Sequence, residues 1–322
     1  MRAIEISRHG GPEVLTTVET DTPAPGPGEV LVRTTAIGVN YIDTYFRQGI
    51  YESELPFIPG SEGSGVIEAI GPDTPDLVVG DRVAWCQVSG SYATHVVAPA
   101  DALVKVPDDI DDHVAASMLL QGLTAHYLVT DTHRASEGDT VMITAGAGGV
   151  GQLLIQLAVA HGFQVITTTS TEEKAQLCRE LGAHHVLLYE QATPERVREL
   201  TDGGVVVVFD GVGRDTFDTS LASLARRGTM VLFGAASGPV PPVDPQRLNA
   251  AGSVFLTRPK LGDFIATPKE YRERAAEVME AILDGALRLN VGATFGMSEA
   301  EHAHRALQAR HTTGSITLDP TR

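Results

Sequence analysis

The chain has 322 residues, of which 43% are hydrophobic and 20% charged, a balance typical of globular proteins and of a length that suits two domains. Its 24 Lys and Arg stand against 41 Asp and Glu, and the resulting net charge of −17 argues against nucleic acid or an anionic membrane as a partner. The two cysteines, Cys86 and Cys178, are too few for a disulfide framework or a four-thiolate metal site, which favours a reducing cytoplasm.

The first third of the chain has the alternating pattern of β-strands. Residues 1 to about 112 alternate between apolar and polar side chains, as in Met1 to Ile6 and Glu29 to Arg33, with turn-rich pieces such as Pro23 to Gly28 between them. Charged residues interrupt the apolar ones near the N-terminus, and no run of about 18 apolar residues occurs. We therefore expect a mostly β region, without an export signal or a membrane span.

From His113 onward, a helix is followed by apolar strands that alternate with amphipathic helices. This rhythm is typical of parallel βαβ units and predicts a doubly wound sheet. The predicted strands are Thr140 to Thr144, Gln164 to Thr168, Val186 to Tyr189, Val205 to Asp210, Met230 to Gly234 and Ser253 to Thr257.

The βαβ rhythm stops after Arg258. A helix is predicted from about Tyr271 to Gly285, a second begins near the capping-box pattern Ser298 to Glu301, and a last strand covers Gly314 to Leu318. A lone strand needs a sheet to join, and the N-terminal β region is the obvious host. We therefore predict an α/β protein in which a doubly wound domain with a parallel sheet, residues 126–261, is inserted into a β-rich domain, residues 1–125 and 262–322.

A glycine-rich turn directly follows the first strand of the parallel region. Gly146, Gly148 and Gly151 form a G-x-G-x-x-G pattern between an apolar strand and a helix with one apolar stripe. A tight turn at Gly146, pyrophosphate approach near Gly148 and close helix packing at Gly151 would explain the three glycines. In isolation the pattern would suit a structural loop, but in this context it predicts a dinucleotide site.

The end of the second parallel strand indicates which dinucleotide is bound. An NAD-preferring unit usually has an acid there to bind the ribose 2′-hydroxyl, whereas this chain has Thr167 to Ser170. Lys174 and Ser170 could instead meet a 2′-phosphate, which favours NADPH. Alternatively, Ser170 is an N-cap that Glu173 closes into a capping box, with Lys174 a solvated helix residue, and both interpretations can hold together.

Several further motifs resemble one known family. In order, these are Ala36 to Tyr45, Pro59 to Gly65, Gly80 to Val83, Gln121 to Ala125 and Phe209 to Gly213. With the glycine turn, they resemble the zinc-free quinone oxidoreductase, or zeta-crystallin-like, branch of the medium-chain dehydrogenase/reductase superfamily. The resemblance runs from Gly10 to Ser315 and implies a GroES-like catalytic domain with an inserted Rossmann domain.

The resemblance also implies that no metal takes part. Zinc alcohol dehydrogenases of this superfamily have a Cys ligand near the position of Asn40 and a His near that of Ser61, and neither residue here suits tetrahedral zinc. Without a Lewis acid, quinones and conjugated enones are easier acceptors than simple ketones or alcohols, because their conjugation takes up the charge. The expected partner is therefore a small quinone or enone.

The resemblance assigns residues to the site. Asn40, Asp43, Tyr45 and Tyr51 are the candidate catalytic residues, and one of the two tyrosines would position the substrate or supply a proton. Each could equally be a half-buried core aromatic. Departures from the family at Tyr41 and Gln121 leave the substrate open. The cofactor contacts that the resemblance implies are Asn40, Tyr41, Tyr45, Tyr127, Gly146, Gly148, Gly149, Val150, Ser170, Lys174, Tyr189, Gly211, Phe233, Gly234, Ala235, Thr257 and Arg310.

Two other functions remain open at this point. One is an enoyl-thioester reductase of the same fold, which would need a basic patch that the net charge disfavours. The other is a non-catalytic, crystallin-like protein that binds NADPH, because a fold alone does not prove activity. An apolar edge strand at Val254 and Phe255 also predicts a homodimer.

Overall fold

The structure, a computed structural model, describes residues 1–74, 76–310 and 312–322. The chain divides into two units. The first consists of Met1–Gln121, Ile265–Gly285 and Leu289–Arg322, and the second of Gly122–Phe264 and Ala286–Arg288. Among the described residues, none of the helices combines the length and apolar character that crossing a membrane requires.

The first unit is built on a mainly antiparallel sheet. Its strands are β1 (Arg2–Glu5), β2 (Thr16–Glu19), β3 (Glu29–Val39), β4 (Glu62–Ile70), β5 (Arg82–Cys86), β6 (His95–Pro99), β7 (Leu103–Lys105), β14 (Val291–Gly296) and β15 (Ser315–Asp319). They pair in the order β14-β15-β3-β4-β5-β7, with β6 also on β3 and with β1 and β2 as a separate pair. The helices are α1 (Tyr41–Arg47), α8 (Pro268–Leu283) and α9 (Ala300–Gln308).

The last strand joins the N-terminal sheet, as the sequence predicts. β15 pairs antiparallel with β3, and Ile316 lies opposite Val39. Because side chains alternate along a strand, Ile316 and Leu318 face one core, where they pack with α9 through Ala303. Chain segments that are about 280 residues apart thus complete one sheet.

The second unit is an open parallel sheet between helices. Its strands are β8 (Thr140–Ile143), β9 (Gln164–Thr169), β10 (His185–Leu188), β11 (Val205–Asp210), β12 (Leu224–Leu232) and β13 (Phe255–Thr257), in the order β10-β9-β8-β11-β12-β13. The connecting helices are α3 (Gly149–Ala160), α4 (Glu172–Glu180), α5 (Pro194–Leu200), α6 (Phe217–Ser223) and α7 (Gln246–Ala250), and α2 (Asp112–Asp131) precedes them. The predicted GroES-like and Rossmann architecture is confirmed.

Several predicted boundaries differ from the structure. β12 begins at Leu224, well before the predicted Met230, because Arg226 and Arg227 belong to the strand although their polarity hides it. The helix expected near Ser298 begins at Ala300 with Glu299 as its N-cap. Ser298 lies instead in a 3-10 turn, so the predicted capping box is wrong.

Candidate functional site

The glycine turn links the end of β8 to the start of α3. Gly148 is the N-cap, and Gly149 and Val150 open the helix, so their backbone N–H groups belong to the first turn, where phosphate charge is favoured. A Cβ on Gly151 would lie 2.4 Å from the carbonyl oxygen of Ala145. Gly151 therefore permits the helix to pack closely on the turn.

Gly148 differs from its neighbours in the turn. A Cβ on Gly146 would lie 2.1 Å from Thr167 Oγ1, so the protein's own packing requires that glycine. The nearest atom to a Cβ on Gly148 is the Ala145 carbonyl oxygen at 3.2 Å. The backbone at Gly148 is thus the more open position, and it suits a ligand that approaches the main chain closely.

Candidate contacts for a 2′-phosphate lie at the carboxyl ends of two neighbouring strands of the parallel sheet. Leu188 of β10 lies opposite Thr169 of β9, so Tyr189 and Ser170 follow at the carboxyl ends of neighbouring strands. The N-cap of α4 is Thr171, whose Oγ1 accepts from Lys174 N at 3.3 Å. Ser170 is therefore not the N-cap, and the predicted capping box of Ser170 with Glu173 is wrong.

A buried carboxylate organises the carboxyl ends of the strands in the other half of the parallel sheet. Asp210, at the end of β11, is 0% exposed, and Val212 N and Gly213 N donate to its Oδ1 at 2.8 and 3.0 Å. Ser220 Oγ donates to its Oδ2 at 2.7 Å. Thr216 Oγ1 lies 2.7 Å from Oδ2 and also donates to the carboxylate. Asp210 is not among the predicted site residues, although an acid at the end of an apolar strand before Gly-x-Gly is a usable signal.

The turn that Asp210 holds contains the predicted nicotinamide contacts. Gly211 N donates to Thr144 Oγ1 at 3.0 Å. A Cβ added to Gly211 would lie only 2.7 Å from the Phe233 ring. Gly234 and Ala235 follow Phe233 directly, beyond the end of β12. Thr257 ends β13, opposite Val231 of β12.

Tyr127 of the second unit lies on α2. Its ring stacks on Phe264 with the ring centres 4.2 Å apart and the planes 6° apart. Burial raises the pKa of the Tyr127 hydroxyl to about 12, although the positive charge of Arg258 opposes this shift. The hydroxyl therefore stays protonated at neutral pH.

In the first unit, two of the predicted catalytic residues, Asn40 and Asp43, lie at the start of α1. Asn40 is the N-cap and is 4% exposed. Asp43, 2% exposed, accepts a hydrogen bond from Asn40 N at 2.8 Å and another from Tyr92 Oη at 3.0 Å. Burial raises the pKa of Asp43 to about 7, while these two donors oppose the shift.

The Asn40 side chain is held from two sides. Its Nδ2 donates to Glu62 Oε2 at 2.6 Å, and its Oδ1 accepts from Gln121 Nε2 at 3.3 Å. Ser315 Oγ donates to Gln121 Oε1 at 2.8 Å and thereby orients that amide. Leu120 N donates to the other oxygen of Glu62 at 2.7 Å. The amide of Asn40 therefore has one defined orientation.

Glu62 is a buried acid whose protonation should be visible in stability. Burial raises its pKa to about 8, the hydrogen bonds from Leu120 and Asn40 lower it, and the charge of Asp43 raises it. An unfolded glutamate has a pKa near 4.5. Between these values the folded protein keeps a proton that the unfolded chain releases, so stability falls as pH rises through this window.

We expect Glu62→Gln to make the free energy of unfolding less dependent on pH between about pH 4.5 and 8, by up to about 1 kcal/mol per pH unit. Urea unfolding at several pH values measures this slope, separately from any constant loss of stability. Glu54→Gln, at an exposed position, is the matched control and should leave the slope unchanged. Equal slopes for Glu62→Gln and the parent chain would contradict the prediction.

The three predicted tyrosines form an aromatic cluster on and after α1. The ring centres of Tyr41 and Tyr45 are 5.9 Å apart, and those of Tyr45 and Tyr51 are 5.4 Å apart in an edge-to-face arrangement. Tyr51 is 38% exposed, whereas Tyr41 and Tyr45 are half-buried. Burial raises the pKa of Tyr41, and the positive charge of Arg310 partly offsets this. Arg310 is thus near Tyr41 in the first unit.

Within residues 1–74, 76–310 and 312–322, no group of three or more His, Cys, Asp or Glu side chains could hold a metal ion. Cys86 and Cys178 are both buried, and burial raises the pKa of the Cys178 thiol to about 11. These thiols remain protonated at neutral pH.

Comparisons with known proteins agree with this architecture. Residues 26–108 match the alcohol dehydrogenase GroES-like domain, and residues 149–281 match the zinc-binding dehydrogenase family. A quinone oxidoreductase of Pseudomonas aeruginosa is 44% identical over 99% of both chains. A 2-haloacrylate reductase of Burkholderia sp is 42% identical over 99% of this chain and 98% of its own.

A solved structure of a mycobacterial protein complexed with NADPH is similar along the whole chain. It is 54% identical, has a TM-score of 0.97, and the match covers 99% of this chain and 100% of that one. A GroES-like domain together with a Rossmann unit defines the class of medium-chain dehydrogenases/reductases. Within that class, the chain belongs to the quinone oxidoreductase family.

Proposed function

We propose that this protein is an NADPH-dependent quinone oxidoreductase that reduces quinones or conjugated enones without a metal. The observation that supports this most directly is the glycine turn at the end of β8, which leads into the N-terminus of α3, where pyrophosphate charge is favoured. The mycobacterial relative with the same fold is complexed with NADPH, and relatives at 42–44% identity are a quinone oxidoreductase and a 2-haloacrylate reductase.

The residues of the second unit would bind the cofactor. Bound NADPH supplies the hydride at its nicotinamide C4. Gly149 and Val150 would bind the pyrophosphate through their backbone N–H groups. Ser170, Lys174 and Tyr189 would bind the 2′-phosphate, which needs hydrogen-bond donors and positive charge. The proposed nicotinamide contacts are Tyr127, Gly211, Phe233, Gly234, Ala235 and Thr257.

The residues of the first unit would act on the acceptor. Asn40, Tyr45 and Tyr51 offer amide and hydroxyl donors that can stabilise an oxyanion as it develops. Tyr45 or Tyr51 would hold the acceptor or give it a proton, directly or through water. Asn40, Tyr41, Tyr45 and Arg310 are also proposed cofactor contacts. Asp43 is the remaining proposed catalytic residue.

The absence of a metal is part of the proposal. Asn40 and Ser61 stand where zinc enzymes of this superfamily have ligands, and an amide and a hydroxyl are poor zinc donors. Activation by hydrogen bonds alone suits acceptors whose conjugation spreads the added charge. Simple alcohols are therefore expected to be poor substrates.

The assembly and location of the protein are also proposals. Phe255 on β13 is 53% exposed at the edge of the parallel sheet, and an apolar edge strand of this kind is a common pairing surface. We propose a homodimer that pairs along this edge. Two buried, protonated thiols suit a reducing compartment, which supports a cytoplasmic location.

The reaction is tested by following the hydride. With NADPH deuterated stereospecifically at C4, deuterium should appear in the enone product, and quinones should be reduced faster than NADP⁺ oxidises ethanol. Deuterium transfer from one face only is expected, because a bound nicotinamide exposes one face to the acceptor. Product without deuterium from either face, or faster turnover of ethanol, would reject the proposed reaction. NADPH binding without oxidation by any acceptor would favour a structural, crystallin-like role.

Cofactor preference is tested at Lys174. Lys174→Ala should weaken NADPH binding by about 1–3 kcal/mol, the usual scale for the loss of a charge-assisted hydrogen bond, and should barely change NADH binding. Fluorescence titration with both cofactors measures this difference. Lys269→Ala, an exposed lysine on α8, is the matched control for the loss of one positive charge. Equal losses for NADPH and NADH at Lys174→Ala would contradict the proposed phosphate contact.

A further inference from the structure

A chain of buried hydrogen bonds in the first unit connects Arg47 with Asp43. Arg47 Nη1 lies 2.8 Å from His304 Nδ1, and His304 Nε2 lies 3.0 Å from Tyr92 Oη. Tyr92 Oη donates to Asp43 Oδ2 at 3.0 Å. Arg47, His304 and Tyr92 are 0% exposed, and Asp43 is 2% exposed. Water therefore has little access to compete with these bonds.

The chemistry of the groups sets the direction of every bond in this chain. A guanidinium can only donate, so His304 Nδ1 must accept and carries no proton. A neutral imidazole then has its proton on Nε2, which donates to Tyr92 Oη. The hydroxyl proton of Tyr92 is left to point at Asp43. Arg47, His304 and Tyr92 thus have one defined arrangement of protons, and Asp43 accepts the last hydrogen bond.

The surroundings of His304 favour this neutral form. Burial and the positive charge of Arg47 lower the pKa of His304 to about 3. The Tyr92 ring meets the imidazole edge-on, with the ring centres 5.8 Å apart and the planes at 88°. Since the imidazole stays neutral, the positive charge of this cluster resides on Arg47.

The same geometry shows that this series of hydrogen bonds does not supply protons to a reaction. Its far end is Arg47, which donates to Gly10 O at 3.2 Å and to Gln308 Oε1 at 2.9 Å and keeps its protons at neutral pH. A proton lost at Asp43 could not be replaced from that end. The chain can instead orient its members.

Asp43 transmits this orientation to α1. It accepts from Asn40 N at 2.8 Å while Tyr92 holds the same carboxylate oxygen, so the first turn of the helix is tied to Tyr92 and through it to α9. We propose that His304 is a positioning residue for the reduction. As the Nε2–H tautomer it fixes Tyr92 and Asp43, and thereby the helix that carries Asn40 and Tyr45. This proposal rests on the proposed function of those two residues.

The tautomer is tested directly by NMR on the full chain labelled with ¹⁵N-histidine. The His304 signals, identified by their absence in His304→Gln, should show protonated Nε2 and unprotonated Nδ1 from about pH 5 to about pH 9. A proton on Nδ1, or titration within this range, would overturn the assignment. This measurement does not depend on catalytic activity.

The positioning role is tested by a set of variants. Tyr92→Phe and His304→Leu each interrupt the series of hydrogen bonds from Arg47 to Asp43. Each should lower kcat by about tenfold, the effect expected when reacting groups shift by a fraction of an ångström. The NADPH Kd should change less than about twofold, because most proposed cofactor contacts lie in the second unit. His304→Gln, whose amide can accept from Arg47 and donate to Tyr92, should recover most of kcat.

Gln308→Leu is the matched control. It removes a hydrogen-bond partner of Arg47 that does not belong to the series from Arg47 to Asp43, so it should leave kcat within about twofold. Assays run well below the melting temperature of each variant. Parent-level kcat in Tyr92→Phe and His304→Leu, or equal losses in His304→Leu and His304→Gln, would overturn the positioning role. If the parent chain reduced no quinone or enone, the proposed function would fail and the role in reduction with it, and NMR would still decide the tautomer.

Discussion

Replacing Tyr45 or Tyr51 by Phe is expected to lower kcat for quinone or enone reduction by a factor of about ten to a thousand. The removed hydroxyl would otherwise stabilise the oxyanion or pass a proton to it. The aromatic packing survives in both variants, because the edge-to-face contact between these rings involves no hydroxyl. NADPH affinity should stay almost unchanged.

Steady-state kinetics with a quinone and an enone, together with NADPH titration, measure the two quantities separately. Tyr271→Phe, which removes the hydroxyl of a buried tyrosine on α8, is the matched control and should retain turnover. If both Tyr45→Phe and Tyr51→Phe keep parent-level kcat, the tyrosines are packing residues and water is the proton source. Retained activity of this kind would leave the reaction class intact.

Among the substitutions proposed for this protein, Asp210→Ala is expected to lower the free energy of unfolding the most, by about 3–5 kcal/mol. The substitution removes the acceptor for Val212 N, Gly213 N and the Ser220 hydroxyl, and buried donors without partners are costly. NADPH binding should weaken as well, because the proposed nicotinamide contact Gly211 lies in the turn that this carboxylate organises.

Denaturant unfolding and NADPH titration of the same samples test both parts of this prediction. Asp215→Ala is the matched control: its carboxylate, 55% exposed, pairs with Arg214 on the surface, so its loss should cost less than about 1 kcal/mol. A similar small cost for Asp210→Ala would show that the buried hydrogen bonds contribute little. Asp210→Asn should fall between the two, since an amide keeps one acceptor oxygen.

Much of the fold could be predicted from local patterns. The strand Val205 to Asp210 was predicted with its observed bounds, because a run of apolar β-branched residues between turns has few other solutions. The glycine turn was recognisable for the same reason, since its glycines answer to local backbone geometry. Boundaries were less accurate where polar residues enter a strand, as Arg226 and Arg227 do in β12.

The site was predictable only in part. Asn40, Asp43 and Tyr45 lie on one short helix, so their neighbourhood follows from sequence spacing and from the family resemblance. No local pattern indicated that His304 would contact Tyr92, because 212 residues separate them. A histidine on an amphipathic helix looks the same in sequence whether it is solvated or buried.

The sequence by itself determined the order of the secondary-structure elements and the position of the dinucleotide turn. These properties depend on residue type and spacing over short stretches of chain. Only the tertiary structure decided which polar groups are buried together, such as Glu62 with Asn40, and His304 with Arg47. Burial in a shared core sets their pKa values and proton positions, and that environment is built from segments that are distant in sequence.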